Sequence, residues 1–383
     1  MKINFRKKSL VVAASLALTV TATPAHAVDL VGSGATFVQN LVEACKPGFA
    51  KATGHSYTYG GGGSSTGQRN SDASVGDFWF SDSAYRAGTR ASIVHAPVVA
   101  APIAVIHNLA TSRQLYLSPA TIAGIFGGTI TRWNDPAIVA DNNRSVTQVV
   151  YKKDSAGNAK LGKDGKPEIL RTTKRTISMS LPNRPITVIY RSDGSGTSNL
   201  FTTYLNGVAP SIWNKAGNNA FTTAFPGNIN APENIGRITG ASGSQGVATL
   251  AARTKDSITY AEKSFADANK LKIAAIGNAS GNFVLPTNEA VSAFLGDATV
   301  DAAKGFFTFN YQTKEPGAYP LGIVSYALVD TNYADKTKAA AVKQLMNYLM
   351  TEECVGGANA SLGFVFLSGK LREVATRQVN KIG

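Results

Sequence analysis

The sequence predicts an α/β protein built as two domains. Three observations carry that expectation. Short apolar segments of strand length alternate with helical segments, joined by turns rich in Gly and Ser. About 356 residues follow position 27, more than one ordinary core needs. The apolar run Val98 to Ile106 is long enough for a buried strand that crosses between domains.

The first 27 residues are not part of the fold. Lys2, Arg6, Lys7 and Lys8 precede an apolar run from Leu10 to about Val20, and Ala25-His26-Ala27 supplies the small residues of a cleavage site. The run is too short for a permanent membrane helix. No lipid-accepting Cys follows it, so the product is expected to be exported, periplasmic and not membrane-spanning. Val28 to Val31 then reads as a short strand, followed by Gly32-Ser33-Gly34-Ala35-Thr36-Phe37. From Val38 the pattern is helical, with Phe37, Leu41, Val42, Cys45 and Phe49 recurring at near-3.6 spacing until Gly54. Ser56 to Tyr59 is a second strand, running through Gly60 to Gly67 into a polar helix. Phe78-Trp79-Phe80 is a third strand, ending at Ser81-Asp82-Ser83.

Beyond the crossing run, Pro119 to Phe126 reads as a short helix and Thr131 to Pro136 as a turn. Ile186 to Tyr190 is a buried strand leading into Arg191-Ser192-Asp193-Gly194-Ser195-Gly196-Thr197-Ser198. Leu200, Phe201, Tyr204 and Leu205 then mark a helical face. Tyr319 to Val329 is strand-like, and Lys336 to Met350 is an amphipathic helix. Tyr151 to Arg175 stands apart. It holds eight Lys/Arg against three acids, with Asp154, Gly157, Asp164, Gly165 and Pro167 as turn residues, and is expected to be an exposed hairpin or loop insertion.

The chain carries 38 Lys and Arg against 24 Asp and Glu, a net +14; four of the basic residues lie before residue 28, leaving +10. Such a balance fits nucleic acid, an anionic surface or a small anion. Aromatic residues make up 9% and do not interleave with the basic clusters, which argues against a nucleic-acid partner. The two cysteines, Cys45 and Cys354, form either a disulfide or a pair of buried thiols; an oxidising compartment favours the bridge. No G-x-S-x-G elbow surrounds Ser195, and His55, His95 and His107 have no metal-ligand spacing, so neither an enzyme nor a metal site is expected.

Three turns share one chemistry: Gly34-Ala35-Thr36-Phe37, Gly63-Ser64-Ser65 and Gly194-Ser195-Gly196-Thr197. Each follows a strand and opens a helix, where converging backbone N–H groups and the helix dipole favour an anion. Each is also an ordinary capping sequence, so one alone says little. Arg191 could bring a guanidinium fork to an oxyanion, or pair with Asp193 at the surface. Asp82 is a plain turn residue or, beside an anion, a carboxylate that needs a proton to accept.

These segments resemble the periplasmic phosphate-binding proteins of bacterial ABC-type phosphate transporters. The resemblance rests on residues 32–37, 63–67, 77–82 and 191–198, with Ile125 to Pro136 and Gly243-Ser244-Gln245-Gly246-Val247 similar to structural signatures of that family. Ser33 stands where a small residue is usual, and Trp79-Phe80 is bulkier than the usual pair. The resemblance implies a type II-like two-domain periplasmic binding protein, α/β in class, with ligand in the interdomain cleft and no cofactor. Domain 1 would comprise residues 28–105 and 318–383, and domain 2 residues 106–317 including the basic insertion at about 151–175. Thr36, Phe37 (through its backbone N–H), Ser64 and Asp82 would bind phosphate from one domain, and Arg191, Ser195, Gly196 and Thr197 from the other. The protein would be a monomer that serves a membrane permease. A receptor for sulfate would need no pocket carboxylate, and an adhesive surface role for the basic insertion could coexist with phosphate capture.

Overall fold

The structure is a computed structural model that describes residues 27–383 except 156, 158 and 164. The export signal expected before residue 28 falls, but for Ala27, outside the described residues. Strand β1 (Asp29–Gly34), helix α1 (Gln39–Thr53), β2 (Ser56–Gly62), α2 (Ser64–Asp72) and β3 (Phe78–Ser81) follow one another as expected. α1 buries the predicted stripe of Leu41, Val42, Cys45 and Phe49 and ends at Gly54, whose φ of 74° suits a residue without Cβ. β2 and β3 both pair in parallel with β1. The starts of α1 and α2 and the end of β3 therefore share one edge of the sheet. The bulk at Trp79-Phe80 is absorbed by strand alternation. Phe80 packs edge-on against Tyr59 at 5.8 Å, while Trp79 donates from Nε1 to the Val75 carbonyl at 2.7 Å.

The apolar crossing run lies within β4 (Ile93–His107), buried from His95 onward. Its residues Ile93 to Pro102 pair with the antiparallel strand Gly322–Asp330, and Ile103 to His107 pair with Ser257–Glu262. One strand thus joins the two halves of a nine-stranded sheet. The order is β2, β1, β3, Gly322–Asp330, β4, Ser257–Glu262, Thr187–Arg191 and Ile238–Ala241, with Lys272–Ile273 also on β4. In the second half, Ile238–Ala241 and Ser257–Glu262 pair in parallel with Thr187–Arg191. The helices Gly196–Val208 and Gly243–Arg253 start just beyond their strands, repeating the logic of the first half. Phe201 stacks on Tyr260 at 4.4 Å behind them.

Some elements differ from the sequence reading. The Thr131–Pro136 turn continues into a helix, Pro136–Asn142, which Asp135 caps by accepting from the Ala137 N–H at 2.9 Å. Seven residues are too few to show a periodic stripe. The last sheet strand begins at Gly322 instead of Tyr319, since Pro320 has no N–H for the ladder. The basic insertion is a hairpin, but a longer one than residues 151–175, with strands Arg144–Tyr151 and Ile169–Ile177. Its tip is also anchored: Lys153 pairs with Glu289 and Lys166 with Asp297, in and just after the helix Asn288–Leu295.

Cys45 on α1 and Cys354 on the short helix Glu352–Val355 form a disulfide, their Cα atoms 5.3 Å apart. Among the described residues, no helix is long and apolar enough to cross a membrane.

Candidate functional site

The turns that open α1 and α2 bring two hydroxyls to the edge of the first half-sheet. Thr36 lies just ahead of α1, and Ser64 is the first residue of α2. Phe37 turns its ring inward onto Phe364, edge-on at 6.3 Å, so only its backbone can serve a site there. Gly63, at φ 88°, permits the tight entry into α2. Asp82 follows β3 at the same edge, and its backbone N–H donates to Ser64 Oγ at 3.0 Å.

The second half-sheet presents Arg191 at the end of its central strand. The guanidinium is 1% exposed. Nε and Nη2 donate to the two oxygens of Asp193, at 2.7 and 2.5 Å, in a fork-to-carboxylate pair. Nη1 donates in another direction, to Ser244 Oγ at 3.1 Å. The Arg191–Asp193 pair that the sequence allowed is therefore present, but it is buried and aims the guanidinium inward. Ser195 caps the helix Gly196–Val208, accepting from the Ser198 N–H at 3.1 Å. Gly196 and Thr197 form the first turn of that helix.

The two edges meet face to face. Thr197 Oγ1 donates to Asp82 Oδ2 at 3.0 Å. Across from it the Ser244 N–H donates to Thr36 Oγ1 at 3.0 Å. A Cβ at Gly196 would lie 2.5 Å from Ser64 Oγ and 2.6 Å from the Ser83 nitrogen. All eight residues singled out in the sequence are buried, and contacts across the seam bring the two sets together.

Four further residues join them. Ser244, at the start of the helix Gly243–Arg253, links Arg191 to Thr36. Ser325, in the strand Gly322–Asp330, donates to Asp82 Oδ1 at 2.7 Å. Asn219 bridges the seam, donating to Ser65 Oγ at 3.0 Å and accepting from Ser83 Oγ at 2.9 Å. Asp193 holds Arg191. Of these, Asp193 stood in the Arg191–Ser198 turn and Ser244 in the Gly-Ser-Gln-Gly run, whereas Ser325 and Asn219 carried no local signal.

Burial pushes the Asp82 carboxyl up to about 6, against the pull of the Ser325 and Thr197 hydroxyls and of Arg191. Burial acts upward on Asp193 too, but the Arg191 guanidinium and the Gly243 N–H outweigh it and hold that carboxyl below the usual range. The two carboxylates beside one cation thus have different tasks. Asp193 is committed to Arg191, whereas Asp82 is poised near neutrality and ringed by hydroxyls. One guanidinium, several hydroxyls, helix-start N–H groups and a single titratable carboxyl suit a small oxyanion that still carries a proton. Among the described residues, no group of three or more His, Cys, Asp or Glu could hold a metal ion.

A family model described as the PBP superfamily domain matches residues 19–353. Phosphate-binding protein PstS 2 of Mycobacterium tuberculosis is 32% identical over 337 residues, covering 83% of this chain and 78% of that protein. Phosphate-binding protein PstS of Xylella fastidiosa is 26% identical over 325 residues, 84% and 77% of the two chains. Among solved structures, a high affinity periplasmic phosphate-binding protein (PfluDING) with bound phosphate superposes with a TM-score of 0.63 at 23% identity, covering 91% of this chain and 92% of its own. That likeness is one of fold.

Proposed function

This chain belongs to the PBP superfamily, among the periplasmic phosphate-binding proteins of ABC transporters, and from that premise we propose that Thr36, the Phe37 N–H, Ser64, Asp82, Arg191, Ser195, Gly196 and Thr197 enclose one phosphate ion. The observation that supports this most is that one seam holds both Arg191, aimed by Asp193, and Asp82, which burial keeps near neutrality. The cation supplies charge and donors; the carboxylate accepts the proton that phosphate carries and sulfate lacks. Ser244 and Ser325 join the site as residues that position Arg191 and Asp82. The protein works as a receptor and not as an enzyme: it delivers the ion from outside the membrane to a permease, after export through the leader before residue 28. Residues 28–105 with 318–383, and 106–317, act as the two lobes.

Calorimetry of the phosphate-stripped protein against phosphate, arsenate and sulfate tests this. The native protein should bind phosphate and reject sulfate. Arg191→Ala should lose about 2 kcal/mol or more of phosphate affinity, because the buried anion loses charge-assisted donors. Asp82→Asn removes the repulsion and supplies an amide donor, so sulfate competition should become measurable. Native protein that bound sulfate as tightly as phosphate would overturn the role of Asp82.

A further inference from the structure

The basic hairpin has one feature that phosphate capture does not use. Among the described residues, its second strand, Ile169–Ile177, pairs only with Arg144–Tyr151, in a sheet of two strands. Every residue from Leu170 to Thr176 is exposed. Among the described residues, the backbone of that stretch has no partner beyond the ladder it shares with Arg144–Tyr151. An edge strand of this kind presents a row of backbone donors and acceptors to any extended chain that comes alongside. Proteins blunt such edges with proline, with very short strands, with a covering element or with charged side chains that repel a like edge, and of these only charge is present here among the described residues. This one spans nine residues without a proline, and Thr172, Thr173 and Thr176 favour the extended state.

Charge selects what can pair there. Arg171, Lys174 and Arg175 lie along the strand. Four other cations of the hairpin are committed to acids: Lys152 and Lys160 to Glu168, Lys153 to Glu289 and Lys166 to Asp297. Arg175 donates to the Tyr116 hydroxyl. For Arg171 and Lys174 the described residues supply no acid. A second copy of the strand would set cation against cation and is disfavoured. An acidic segment would be drawn in, first by the chain's positive field and then by its close neighbours. The Lys153 and Lys166 pairs hold the hairpin tip on the Asn288–Leu295 helix, so the edge is presented in one conformation before anything binds.

We propose that the outer edge of Ile169–Ile177 docks an extended acidic segment of a partner protein, which adds to the hairpin as a third strand. An anionic lipid surface could meet the charges but has no backbone groups to meet the edge, so the exposed ladder favours a polypeptide.

The test uses the full chain and a capped octapeptide of alternating Glu and Val. A twin peptide methylated on alternate backbone nitrogens keeps the charge but loses donors, and vesicles containing phosphatidylglycerol supply charge alone. The Glu–Val peptide should bind, slow amide exchange within residues 170–176 and bind more weakly as salt rises. Affinity should fall at least about tenfold for the methylated twin and for the double variant Arg171→Glu with Lys174→Glu. Phosphate titration of that variant, unchanged, confirms that it is folded. The proposal is overturned if the methylated twin binds equally well, if vesicles bind and the peptide does not, or if exchange in 170–176 is unaffected.

Discussion

Asp82 combines full burial with a carboxyl held near neutrality, and this has a measurable consequence for stability. Its folded value of about 6 lies above the ordinary carboxylate value, so folding favours the protonated form. The stability this contributes is present at low pH and is lost as pH rises through about 6. Asp82→Asn has no charge to bury. In phosphate-free protein, its stability relative to the native chain should therefore improve between pH 4 and pH 7.5, by about 3 kcal/mol at most. Glu262, pushed up to about 8 by burial, adds a slope of its own, but both proteins share it, so the difference isolates Asp82. Urea midpoints across that range measure the effect, and a flat difference would place Asp82 in a more solvated setting. At this scale, the sequence made legible the residues that stand in strand–turn–helix units: Thr36, Ser64, Arg191 and Ser195 to Thr197. Ser325 was hidden for a physical reason. It sits in mid-strand among nine buried residues, and the carboxylate it serves is 243 positions away.

Elements with a periodic stripe or a strong turn were equally legible, α1 and the Lys336–Leu349 helix among them. What the hairpin rests on was not, because its anchors lie 136 and 131 residues along the chain. Lys153 and Lys166 belong to a composition that reads as a solvated patch until their partners are seen. The hairpin's own chemistry predicts how little the phosphate site depends on its tip. Tyr151 and Ile169 face each other across the ladder, so residues 152–168 can be replaced by Asn-Gly, a dipeptide that closes a two-residue turn. The lost ion pairs are substantially solvated, with side chains 22–49% exposed. Their removal should cost about 1 kcal/mol or less. Phosphate affinity should stay within about twofold, since none of the proposed ligand residues lies in the tip. Calorimetry and thermal unfolding of the excised protein check both numbers, and a large loss of affinity would show that the tip braces the closed cleft.

On the scale of the whole molecule, β4 is the one strand that both half-sheets share in full hydrogen-bonded register, changing partner between Pro102 and Ile103. Near the site the halves are also joined by exchangeable single contacts, among them Thr197 with Asp82, Ser244 with Thr36, Asn219 with Ser65 and Ser83, and the Ser65 N–H with the Gly194 carbonyl. Strong pairing at the hinge and exchangeable contacts at the mouth suit two lobes that swing as units. Gly196 marks how closely they approach. A methyl group there would meet Ser64 Oγ at 2.5 Å, the Ser83 nitrogen at 2.6 Å and the Asp82 Cβ at 2.9 Å, all on the opposite lobe. Within its own lobe, Gly196 is an N-terminal helical residue, where alanine is readily accepted. Gly196→Ala should therefore fold normally but stop short of closure. Donors left at hydrogen-bond distance plus a few tenths of an ångström lose much of their strength, and water enters the seam. Phosphate affinity should fall at least about 100-fold, through the loss of two or three charge-assisted bonds. The unfolding midpoint without phosphate should match the native one within a few degrees. Small-angle scattering should show the native chain contracting when phosphate is added and the variant failing to contract. Equal affinity in the two proteins would mean that the lobes do not need this contact, and that the ion is held without full closure.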